Sequence, residues 1–142
     1  MIIDKSLFKE VIENMIPLHQ LLGIQLLDIK PGYAKILIPF RPELIGDPRS
    51  QVLHGGIIST AIDSVGGAAA MTTLVSHEDK LSTIDIRIDY LRPGQARAFI
   101  AEGELTRSGN RIIVTRMVAY HDPGEPIAEG KGVYNVKRKT DR

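Results

Sequence analysis

HGGIISTAID, residues 54–63, opens a long run with a single charge in it, and the rest of the chain is read outward from it. Between Gly55 and Ser76 that charge is Asp63. At helical spacing Asp63 shares a narrow small and polar strip with Ser59, Thr60, Ser64 and Gly67, while Ile57, Ile58, Ala61, Ile62, Val65 and Ala69 take the rest of the circumference. An ionised carboxylate withdrawn from water is costly unless it is paired or hydrogen-bonded. A helix needed only for a core would not carry one, so Asp63 is the first candidate for a working residue, with a structural bond to buried backbone as the other reading. Gly55 and Gly56 stand where helical N–H groups lack partners, and without Cβ atoms they let a ligand approach closely. Such a helix start favours an oxyanion, as acyl transfer requires; a plain turn is the other use of two glycines.

A chain of 142 residues is expected to form one domain with an ordinary core. Its 18 basic and 17 acidic residues give a net charge of +1, which argues against nucleic acid as the main partner. No cysteine is present, so disulfides, a thiolate nucleophile and cysteine-ligated metals are excluded. His19, His77 and His121 are scattered without ligand spacing, and no metal site is expected. No apolar run has the length of a signal or a membrane span, and a soluble cytoplasmic protein is expected.

Asp4 is placed to cap a first helix through Leu7, Phe8, Val11, Ile12, Met15 and Ile16, which Pro17 then disturbs. Two short strands, Gly23 to Asp28 and Tyr33 to Phe40, flank the turn Lys30-Pro31-Gly32, and a polar loop from Arg41 to Val52 leads to the glycine pair. After the central helix come strands at Leu81 to Leu91, Arg97 to Thr106, Arg111 to His121 and around Ile127 to Val136, with turn signals at Ser108-Gly109-Asn110 and Asp122-Pro123-Gly124-Glu125. The tail Lys137 to Arg142 reads as loose. This order predicts an α+β fold, an antiparallel sheet around one long central helix. Alternation in the first long strand puts Ile84, Ile86, Ile88 and Tyr90 on one face and Thr83, Asp85, Arg87 and Asp89 on the other. Pairing of this strand with its own copy about a two-fold axis near Arg87 would set opposite charges together; a solvated face is the alternative.

Three segments, Ile16 to Ile24 (IPLHQLLGI), Val52 to Ala70 (VLHGGIISTAIDSVGGAAA) and Ser82 to Gly94 (STIDIRIDYLRPG), together resemble the hotdog-fold thioesterases, in particular the PaaI-like, phenylacetate-pathway branch. The resemblance covers nearly the whole chain, 1–142, as a single hotdog domain. It implies an acyl-CoA thioesterase acting on medium-chain or aryl substrates, without a cofactor, in which two subunits pair their sheets and share active sites; dimers of dimers are common among such proteins. It also assigns roles. Asp63 matches the catalytic acid, as general base or nucleophile, Gly56 with Gly55 the backbone that receives the thioester carbonyl, His54 the motif histidine, and Thr83 the residue that holds the attacking water. Where several relatives carry Asn or Gln six residues before the histidine, this chain has Pro48, and Asp47, Ser50 or Gln51 could substitute, Gln51 being the better amide chemically. Arg107 and Arg111 flank a hairpin turn and are candidates for the phosphates of coenzyme A, with plain solvation as the other reading and Arg49, Arg92, Lys131 and Lys137 equally available on charge. The competing class is a hotdog module that binds acyl-CoA without hydrolysing it.

Overall fold

The computed structural model describes residues 4–141. Asp4 caps α1 (Lys5–Glu10), its carboxylate accepting from the Leu7 N–H at 3.1 Å. One π-helical turn, Val11–Met15, carries Glu13 to the Leu26 N–H, and Pro17 opens a second helix, α2 (Pro17–Leu22), instead of ending the first. Proline suits that place, because a first-turn N–H has no helical partner to lose.

Strands β1 (Gln25–Lys30) and β2 (Tyr33–Ile38) form the first hairpin. The polar loop is more ordered than its composition suggests: a 3-10 turn at Pro42–Leu44 precedes a small hairpin of β3 (Ile45–Asp47) and β4 (Val52–Leu53). Helix α3 (Gly55–Met71) follows, then β5 (Lys80–Tyr90), β6 (Phe99–Ser108), β7 (Ile112–Tyr120) and β8 (Pro126–Lys137). Six strands make one antiparallel sheet in the order β1-β2-β6-β7-β8-β5. It wraps α3, whose Ala61, Ile62, Val65 and Ala69 are fully buried against inward residues such as Ile36, Ala101 and Met117. This is the hotdog fold, α+β. Helix and sheet approach so closely that a Cβ on Gly103 would stand 3.0 Å from the Val65 carbonyl oxygen, and one on Gly130 would stand 2.7 Å from Ile62.

Two expectations need correction. Strand β5 does not keep one alternation: Thr83 pairs with Tyr134 and Asp85 with Val133, so Ile84 is an extra residue, a β-bulge. Side chains before it and after it are therefore in opposite phase. Leu81 and Thr83 join Ile86 and Ile88 on the helix side, while Ile84 is 56 % exposed. The tail is also less loose than its charge suggests. Strand β8 continues through Lys137, and the buried Asp79 carboxylate accepts from the N–H groups of Val75, Ser76 and Lys139 and from the Arg138 guanidinium. Arg142 lies outside the described residues.

Candidate active site

Asp63 is half-buried on the face of α3 that meets β5 and β8. Thr83 Oγ1 donates to its Oδ1 at 3.0 Å, and the Tyr134 hydroxyl lies 3.1 Å from the same oxygen and 3.0 Å from the Asp63 carbonyl oxygen. Thr83 and Tyr134 reach it together because they are directly opposite on neighbouring antiparallel strands, and such partners point to the same side of a sheet. The bulge at Ile84 turns Thr83 inward. Burial, and then the neighbouring Asp63 charge, push the Tyr134 phenol well above its ordinary range, so it remains a donor at working pH.

His54 stands at the N-cap of α3, and its Nδ1 accepts from the Gly56 N–H at 2.8 Å, which puts the ring proton of the neutral imidazole on Nε2. The amide expected to receive a carbonyl is thus held by the chain's own histidine. Tyr90 donates to the Gly55 carbonyl oxygen at 3.1 Å and lays its ring against Gly55, fixing the start of the helix. Gln51 has a left-handed backbone, φ 56°, uncommon for a side chain of its kind, and its amide donates to the Pro48 carbonyl at 2.9 Å, turned into its own loop.

The expected residues fall into separate groups. Asp63 and Thr83 are in contact, and His54, Gly55 and Gly56 form the helix start. Gly56 and Asp63 are seven residues apart on α3, which at 1.5 Å per residue is about 10 Å along the axis. Arg107 is on the face of the sheet turned away from α3, since it pairs with outward Val114, and Arg111 follows in the next turn; neither is brought to Asp63 within the protomer. Tyr134 and Tyr90 were not singled out by sequence reasoning. Tyr90 lies on the apolar alternation of β5, a usable signal, whereas Tyr134 meets Asp63 across 71 residues and nothing local marks it.

Beyond Asp63 and Thr83, in the direction of the C-terminal end of α3, lies a mainly aliphatic cleft of about 350 Å³ bordered by Ile12, Ile16, Gly67, Met71, Leu74 and Leu81. Its polar lining is His19, Ser64 and Asp79, and the His19 ring nitrogens meet the Ile12 carbonyl at 2.8 Å and Ser64 Oγ at 3.2 Å. A larger hollow of about 560 Å³ lies on the opposite face of the sheet, among charged residues that include Arg87, Glu104 and Lys131. There Glu102 accepts from the hydroxyls of Tyr33 and Tyr120, and burial followed by that bond pushes the Tyr120 phenol up to about 12. Volume alone does not make it the site, because it has no access to Asp63. Among the described residues no cluster of His, Asp and Glu could hold a metal ion, and no helix is long and apolar enough to cross a membrane.

A hotdog domain with a half-buried carboxylate on its central helix, bonded by the Thr83 and Tyr134 hydroxyls, has the architecture of the thioesterase class. The comparisons agree, with residues 50–128 matching the thioesterase superfamily model. The medium/long-chain acyl-CoA thioesterase YigI of Escherichia coli K12 is 30% identical over 143 residues, covering 92% of each chain. A crystal structure from Shewanella oneidensis, described as related to the thioesterase superfamily, is 37% identical with a TM-score of 0.83, over 93% of this chain and 94% of that one. A phenylacetic acid degradation-related protein of Ralstonia eutropha shares the fold alone, at 17% identity and a TM-score of 0.78 over 90% and 98% of the two chains. The chain belongs to the thioesterase superfamily and is a thioester hydrolase.

Proposed function

We propose that this thioesterase hydrolyses medium-chain or aryl acyl-CoA as a homodimer, with Asp63 as its catalytic acid. The observation that carries the reading is the Asp63 carboxylate, pinned through one oxygen on the helix whose Ser64 and Gly67 line the aliphatic cleft. The cleft suits an acyl chain or a small ring, and the substrate class in the name of YigI supports chains of medium length or more. The thioester carbonyl oxygen takes the Gly56 N–H, sharing or replacing His54 Nδ1, at a helix start whose dipole favours the developing negative charge. Asp63 then activates water held by Thr83, or attacks the carbonyl carbon itself. With water as nucleophile, loss of thiolate leaves the free acid; with Asp63 as nucleophile, loss of thiolate leaves an acyl anhydride on Asp63, which water then hydrolyses to the free acid and the regenerated carboxylate.

A separation of about 10 Å along α3 is too long for one carbonyl to meet both Gly56 and Asp63 of the same helix. Each site therefore combines Gly56 of one subunit with Asp63 of the other. The eleven-residue strand β5 is the edge of the sheet and leaves one side of its backbone open for a second copy. Arg107 and Arg111 stay candidates for the phosphates of coenzyme A, reached across such an assembly, and Gln51 for orienting the substrate. Dimers of dimers and a cytoplasmic location belong to the same reading.

The test is thiol release from short, medium, long and aryl acyl-CoAs. Asp63→Asn and Asp63→Ala should each lower turnover at least a hundredfold, about 2.7 kcal/mol of transition-state stabilisation. Mixed dimers of Asp63→Asn with an inactive Gly56→Pro chain should regain activity, because one intact site forms per dimer. Full activity in Asp63→Asn refutes the role of the acid, and failure of the mixed dimers refutes the shared site.

A further inference from the structure

We propose that Tyr134 is a positioning residue of the hydrolysis, holding Asp63 by Oδ1 so that Oδ2 is the oxygen presented to the substrate or the attacking water. The proposal rests on reading Asp63 as the catalytic acid. Its basis is an asymmetry in the carboxylate. Thr83 Oγ1, at 3.0 Å, and Tyr134 Oη, at 3.1 Å, both meet Oδ1. Oδ2 has no hydrogen bond among the described residues, yet no buried side-chain oxygen or nitrogen there lacks a partner, so Oδ2 opens to solvent. One oxygen is fixed and the other is free to react.

Tyr134 is suited to this by its setting, with 1 % of its surface exposed and its hydroxyl placed between the side chain and the backbone carbonyl of one residue. Gly66 and Gly132 make the slot. A Cβ on Gly66 would stand 2.4 Å from the tyrosine hydroxyl, and one on Gly132 would stand 2.7 Å from its ring. The Thr115 hydroxyl beneath it bonds Met117 Sδ and the Gly132 carbonyl, and both acceptors of the phenol belong to Asp63. The phenol meets the Asp63 main-chain carbonyl at 3.0 Å and also the single carboxylate of α3 at 3.1 Å, with glycines at the points where any side chain would push it away.

The experiment compares Tyr134→Phe with the native chain on the acyl-CoA substrate it turns over fastest, and repeats the substitution in Asp63→Asn. Turnover is expected to fall about tenfold or more, the scale of a hydrogen bond to a charged group, while KM stays within about twofold. In Asp63→Asn the added Tyr134→Phe should change the residual rate by less than about twofold, because the oxygen it positions no longer carries the charge. Gly66→Ala, which keeps the phenol and displaces its hydroxyl, should reproduce the loss. Unchanged turnover in Tyr134→Phe, or equal losses in both backgrounds, overturns the proposal. Full activity in Asp63→Asn alone overturns the reading beneath it, and the two failures are told apart by that single variant.

Discussion

Replacing Gly66 by alanine should destabilise this protein, although alanine is the better helix former by about 1 kcal/mol in a helix interior. A Cβ there would lie 2.4 Å from the Tyr134 hydroxyl and 3.1 Å from the Met117 sulfur. Met117 can turn aside, but the tyrosine is enclosed and must retreat by about 1 Å to reach ordinary contact. Forcing an added methyl into a packed core costs about 1–3 kcal/mol. The retreat also breaks the bond to the Asp63 carboxylate, and bonds to charged groups contribute about 1.5–3 kcal/mol. Net of the helical gain, a loss of about 3 kcal/mol is expected. Its neighbour supplies the control: a Cβ on Gly67 would find its nearest neighbour, the Tyr134 ring, at 3.8 Å, which is ordinary contact. Gly67→Ala should therefore stabilise by up to about 1 kcal/mol. Urea unfolding followed by far-ultraviolet circular dichroism measures both, at one protein concentration because association shifts midpoints. In Tyr134→Phe, where the hydroxyl is gone, Gly66→Ala should cost markedly less. Equal effects of alanine at the two positions, or a more stable Gly66→Ala protein, would refute the packing argument.

Asp79 should make the far end of the sheet sensitive to acid. The amides of Lys139, Val75 and Ser76 hold its carboxyl below the ordinary value of 3.8, so its contribution is complete above that value and is lost as pH falls through and below it. Asp79→Asn should flatten the decline in stability below about pH 4 measured by urea unfolding, and an unchanged decline would assign it to other carboxylates. Arg87, paired with Asp89 at 3.4 Å on β5, bears on assembly. Arg87→Glu should weaken a dimer centred near that residue by setting like charges across the axis, a loss that sedimentation velocity would register; an unaltered sedimentation profile rules out that register.

Much of the fold could be read because apolar spacing and turn residues are local. The uncharged run after His54 gave the central helix, and the two turn signals at Ser108 and Asp122 separated the long strands. The β3–β4 hairpin escaped because its strands are three and two residues long, too short for alternation to register. The bulge escaped for another reason: Ser82, Thr83 and Ile84 carry no mark of an extra residue, and strict alternation sent Thr83 to the wrong face. In the site, Asp63, Thr83 and the glycine pair were visible as residue types out of place. The hold of His54 on Gly56 and the reach of Tyr134 to Asp63 are matters of three-dimensional placement.

Strand β5 carries one residue more than β8 between the pairs Thr83–Tyr134 and Asp85–Val133. That surplus governs which changes of chain length this gene could survive. Loss of Ile84 would leave every remaining side chain of the strand on its present face, because its neighbours already stand opposite consecutive residues of β8. Loss of Asp85 does the same, with the exposed Ile84 taking its place opposite Val133, whereas loss of a residue farther from the bulge would exchange Thr83 for a neighbour or put a wrong side chain on the helix side. A library of single-residue deletions through 81–90 should accordingly yield two adjacent permissive positions, 84 and 85, in the middle of an otherwise intolerant strand.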